Sequence, residues 1–88
     1  MTAAAEILHA TLSQYPNLSA EAPAVLSLYE RLIGAAEERI GEPREGWQWF
    51  RLPAGTEVQM TDYDRLCRRG VAEWKGDPSE FRIVAYVA

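Results

Sequence analysis

The hydrophobic period changes partway along this chain. Up to Ile40 the apolar residues recur every three or four positions, and from Trp47 they alternate. The first spacing buries one stripe of a helix; the second buries one face of a strand. A chain with a stretch of each must lay helices on a sheet. The expectation is therefore an α+β fold. A two-helix N-terminal half packs on a small antiparallel sheet of about four strands, in the order ααββαββ. With 88 residues there is material for one core. Residues 1–88 are thus expected to form one domain, with a helical half at 1–41 and a sheet half at 46–88. The segment from Gly41 to Gly46 reads as a hinge between them.

The helical half divides at Pro16. Residues 2–14 read as a helix capped by Thr2, with Ile7, Leu8, Thr11, Leu12 and Tyr15 on one face. Tyr15 stops it, because the residue before a proline avoids the α region. Residues 20–40 read as a longer helix, capped by Ser19, with Pro23 tolerated in the first turn. Its apolar stripe runs from Ala22 through Val25, Tyr29, Leu32, Ile33 and Ala36 to Ile40, and Gly41 supplies the stop.

In the sheet half, Trp47–Leu52 reads as a strand, with Trp47 and Trp49 on one face and Gln48 and Phe50 on the other. Pro53-Ala54-Gly55 reads as a turn, and 56–60 as a strand returning along the first. A short helix follows, capped by Thr61, with Tyr63, Leu66 and Cys67 inward and Gly70 at its end. Residues 71–74 are a short strand and 75–79 a turn. Residues 81–87 are the clearest strand, with Phe81, Ile83, Ala85 and Val87 on one face and Arg82, Val84 and Tyr86 on the other. If that strand lies at a sheet edge it can pair with a second copy, so a homodimer is one candidate assembly.

Charge narrows the function mainly by exclusion. The net charge is −4, which argues against nonspecific binding to DNA or to an anionic membrane. All of the excess lies in residues 1–45, with seven acids and three bases; residues 46–88 hold six of each. No apolar run reaches the roughly 18 residues that span a bilayer. The start, Met-Thr-Ala-Ala-Ala-Glu, has no basic region followed by an apolar one. The expected location is cytoplasmic. One Cys and one His supply neither an internal disulfide nor a four-ligand zinc site. No metal or cofactor is expected.

Each residue with chemical potential has an ordinary reading beside it. His9 lies off the first apolar stripe and reads as a solvated imidazole. Cys67 stands among Arg65, Arg68 and Arg69, which lower a thiol pKa and favour a reactive thiolate; its phase beside Tyr63 and Leu66 makes it a small buried hydrophobe. Asp62, Asp64, Glu73 and Asp77 are the acids that could converge, yet the first two sit at a helix start, which the helix dipole explains. No phosphate loop, nucleophile elbow or metal-binding helix motif is present. An enzyme is not expected; a small enzyme or subunit using Cys67 or His9 is the third alternative.

Two surfaces remain for a partner. One is aromatic: Trp47, Trp49, Phe50, Trp74 and Tyr86. One helical layer cannot cover both faces of a sheet, so some of these rings are left outside, where aromatics concentrate binding energy. The other is acidic: Glu30, Glu37, Glu38 and Glu42 on the outer face of the long helix, suited to a basic groove. The expected function is a non-enzymatic protein-interaction module docking on a larger protein or complex, including one that handles nucleic acid. Small acidic domains of this kind serve bacteriophages and mobile elements as inhibitors of host complexes, anti-CRISPR proteins among them. The alternative is a small nucleic-acid-binding regulator using Arg65, Arg68, Arg69 and Arg82, against which the overall charge argues.

Overall fold

A computed structural model describes residues 3–74 and 81–87. Among these residues four helices and four strands follow one another as α1 (Ala3–Gln14), α2 (Pro16–Ser19), α3 (Pro23–Ala35), β1 (Arg39–Arg44), β2 (Trp47–Arg51), α4 (Met60–Arg68), β3 (Ala72–Trp74) and β4 (Phe81–Tyr86). The strands form one sheet in the order β1-β2-β4-β3, antiparallel throughout. The class is α+β, with α1–α3 preceding the sheet. The expected cap at Thr2 and the turn containing Lys75 and Asp77 lie outside the described residues.

One cluster of buried side chains joins the layers. Leu18, Val25, Tyr29, Leu32, Leu66 and Ile83 are fully buried within it. The register Gln48↔Ala85 and Phe50↔Ile83 puts these four on one face of the sheet, with Phe81. Helices α1 and α3 lie over that face, where Ile7 and Ile33 line a cleft with Phe50 and Ile83. Helix α4 lies on it as well, through the edge-to-face contact of Tyr63 with Phe81 (5.0 Å, 73°).

The long helix expected over 20–40 is shorter. Helix α3 ends at Ala35, and Ala36 turns to extended backbone (ψ 135°). The backbone of Glu37 and Glu38 instead bonds to Arg51. Residues 36–39 are good helix formers, but pairing with β2 satisfies their backbone and carries Ile40 to the sheet opposite Trp49. The helical half therefore stops before residue 41, and 41–46 is not a hinge. Gly41 (φ 75°) belongs to β1, where the register slips between Ile40 and Arg44. Glu45 (φ 52°) and Gly46 (φ 87°) form the two-residue turn into β2, both left-handed as a type I′ hairpin requires.

The first hairpin is thus β1–β2, not 47–52 with 56–60. Residues 56–59 form no strand, because both edges of β2 are already taken by β1 and β4. Thr56 instead closes the turn, donating from its amide (3.2 Å) and hydroxyl (2.7 Å) to the Pro53 carbonyl. Ser19 does not cap α3; it lies in α2 and donates to the Pro16 carbonyl. Thr61 does not cap α4, which begins at Met60, two residues earlier than that cap would place it, with Gln59 at the cap position. Nor is β4 an edge. It lies between β2 and β3, so pairing along it is closed to a second copy.

Because β3 has only three residues, the second half of β4 runs past its end. Two side-chain hydroxyls complete its hydrogen bonds. The Val71 amide is committed to the Leu66 carbonyl at the end of α4 (3.1 Å), so it cannot serve the Val84 carbonyl opposite. The buried Tyr29 hydroxyl donates there instead (2.5 Å). Two residues on, the Tyr86 amide donates to Thr11 Oγ1 (2.9 Å), whose own proton goes to the Ile7 carbonyl (2.8 Å). A comparable repair serves the slip in β1. Gln48 is 1% exposed, and its amide nitrogen donates towards the carbonyls of Ile40, Gly41 and Trp49 at 3.0–3.1 Å. Its Oε1 is buried without a protein partner among the described residues.

Candidate functional site

Alternation sends every second residue of the strands to the face away from the helices. Three rows result, each crossing the sheet. The central row is Ile40, Trp49, Val84 and Val71, the last placed by the bond from the Val84 amide to the Val71 carbonyl (2.9 Å). On one side lie Arg44, Trp47 and Tyr86, with Trp47 opposed to Arg44 on β1 and to Tyr86 on β4, and meeting the latter edge to face (5.3 Å, 80°). On the other side Arg51 opposes Arg82, and Arg82 opposes Glu73. Arg51 also bonds Glu38 (2.9 Å) across an exposed ion pair, a contact of small net value. The face thus reads as an aromatic row that ends in Arg44 on β1, an apolar row and a charged row.

Among the described residues no helix lies across these rows. The end of α1 reaches only their rim, where Gln14 and Tyr15 wall a groove of about 510 Å³ with Trp47, Trp49, Gly70, Val71 and Val84. Val71 and Val84 form its buried floor. Trp47, Trp49 and Tyr86 are half-buried.

The aromatic candidates therefore separate. Trp47, Trp49 and Tyr86 share the uncovered face. Phe50 does not; it points the other way and is part of the core under α1 and α3. Trp74 also lies on the helix side, opposite Phe81 in β3–β4 and near it (5.6 Å). It is 41% exposed beside Met60 and Cys67, apart from the other three. Ile40, Val71, Val84 and Tyr15 also belong to the uncovered face, as do Arg44 and Arg51, and none of these was among the candidates for a partner surface. Ile40 was assigned to a helix stripe, and Tyr15 reaches the sheet only through tertiary packing.

The acidic helix face does not form. Only Glu30 stands on α3; Glu37 and Glu38 follow the helix, and Glu42 lies on β1. The four arginines proposed for nucleic acid are not assembled either. Arg65 and Arg68 lie on α4 and Arg69 at its end, whereas Arg82 lies on the opposite side of the sheet. Arg68 pairs with Asp64 (2.9 Å). Arg69 pairs with Glu21, whose side chain is only 9% exposed, and so ties the end of α4 to the start of α3.

His9 is exposed on α1. Cys67 is half-buried, and burial pushes its thiol up from the ordinary value, with the Asp64 and Glu73 carboxylates adding to the effect. Its dominant charged neighbours are acids rather than the arginines, the reverse of what activates a thiolate. Among the described residues no three His, Cys, Asp or Glu side chains gather as a metal site, and no helix is long and apolar enough to cross a membrane. No family model, curated protein or solved structure matches the chain.

Proposed function

We propose that this protein is a non-enzymatic interaction module whose working surface is the uncovered face of its sheet. The observation that carries this reading is the row Trp47–Tyr86 beside Trp49, three partly exposed aromatic side chains on a face that no helix covers among the described residues. Aromatic rings that are only partly covered in the free protein are the side chains that contribute most to binding when a partner completes their burial. In this reading the target is a larger protein or complex, and the module acts as an inhibitor of the kind mobile elements encode. The supporting features are the four-stranded sheet that fixes the rows, the apolar floor at Val71 and Val84, and a charged row that sets orientation.

The test is site-specific photo-cross-linking in the source cell. A benzophenone side chain at Trp47 is expected to capture one larger protein, and the same group at Glu57, away from the face, is not. Trp49→Ala should abolish that capture while circular dichroism shows the fold retained. Identical products from positions 47 and 57, or none from 47, would overturn the reading.

A further inference from the structure

We infer that, in the absence of its target, the uncovered face is covered by a second copy of the chain. The two sheets pack face to face about a two-fold axis that crosses the strands along the central apolar row. The inference rests on the reading above, that this face is the interaction surface, and it names a second occupant with which the target must compete.

The argument is one of complementarity. For two identical faces to meet, the axis must lie in the plane between them. An axis along the strands lays the charged row on itself and sets Arg51 against Arg82 of the other copy, which is repulsive. An axis across the strands exchanges the outer rows. Arg51 then lies over Trp47 of the other copy and Arg82 over Tyr86, both cation–π pairings. Trp49 and Ile40 each meet their own counterpart, as apolar groups do at the centre of a stable interface. Aligned packing of two sheets at about 10 Å accommodates this arrangement.

Edge pairing is the competing geometry, and both edges resist it. Strand β1 carries Pro43, the register slip and the charges Arg39, Glu42 and Arg44, features that blunt an edge. Strand β3 has three residues. The face itself is modest. Four strands and three rows cover roughly 400 Å² at ordinary strand spacing and rise, about half of what each partner contributes to a standard interface. The pairing is therefore concentration-dependent and leaves the face accessible to a larger target.

Sedimentation velocity from micromolar to millimolar concentration tests this. A monomer–dimer equilibrium is expected. Arg51→Glu should weaken it about tenfold through two symmetry-related contacts, and Arg65→Glu, on α4, should leave it unchanged. In a Cys67→Ser background, Ile40→Cys should form a disulfide-linked dimer on mild oxidation, and Glu57→Cys should not. A chain monomeric at every concentration overturns the pairing. So does a dimer that ignores Arg51→Glu and is not trapped by Ile40→Cys. Neither result touches the docking reading, which fails if the benzophenone at position 47 captures nothing in the cell or captures the same products as the one at 57.

Discussion

Replacing Gly46 by alanine tests the turn and the aromatic row together. Gly46 has φ 87°, a conformation that costs an L-residue about 1–2 kcal/mol. Its added Cβ would also fall 2.6 Å from Tyr86 Cζ and 2.9 Å from the hydroxyl oxygen, well inside van der Waals contact. The ring must swing away, and with it goes the edge-to-face contact on Trp47, about 0.5–1.5 kcal/mol. Alanine recovers about 0.5–1 kcal/mol by restricting the unfolded chain. The net expected loss is about 2 kcal/mol, a fall in Tm of roughly 8–16 °C for a domain of this size. Urea unfolding followed by tryptophan fluorescence and by circular dichroism measures it. The decisive comparison is the same substitution in a Tyr86→Ala background, where only the backbone cost remains and the loss should shrink by about 1 kcal/mol. A loss below about 0.5 kcal/mol in the wild-type background, on the scale of an ordinary surface substitution, or an equal loss in both backgrounds, would refute the proposed packing of Tyr86 on the turn.

Four further outcomes follow from the same contacts. Tyr29→Phe leaves the Val84 carbonyl without its donor and should cost about 1–3 kcal/mol in urea unfolding; a neutral result would mean that another donor reaches that carbonyl. Gln48→Leu removes the amide from the carbonyls of Ile40 and Gly41, and hydrogen exchange should quicken in β1 before it does in β4. Native Cys67, with its thiol held up by burial, should react with iodoacetamide at neutral pH more slowly than the urea-unfolded chain; equal rates would contradict the buried geometry. Burial also pushes the hydroxyls of Tyr29 and Tyr63 upward. The unfolded chain then ionises first, at about pH 10, so the stability these groups contribute is complete below that pH and is lost as the pH rises towards their folded-state values. Tyrosinate absorbance of these two residues should appear together with unfolding rather than ahead of it.

The parts of the fold legible in the sequence are those in which one strong local pattern had no competitor. The apolar spacing of Ile7, Leu8, Thr11 and Leu12 and the proline after Tyr15 determined α1. The alternation of 47–50 and 81–86 determined two strands and which residues share a face, so the separation of Trp47 and Trp49 from Phe50 followed before any contact was known. That one helical layer leaves a sheet face uncovered was also implicit in the length.

Tertiary structure alone decided which segment pairs with β2. Residues 56–60 alternate as a strand does, whereas 39–44 carries Gly41, Glu42 and Pro43, which strands disfavour, and 36–40 continues a helical stripe. The outcome turned on backbone hydrogen bonds that local pattern does not contain, Glu37 and Glu38 with Arg51 on one edge and β4 on the other. With both edges filled, 56–59 had nothing to pair with. That choice moved Ile40 from a helix to the sheet, broke up the acidic helix face, and set Arg51 and Arg82 side by side across two strands. Row, register and strand order are relations between segments distant in sequence, and they create a surface that no single segment specifies.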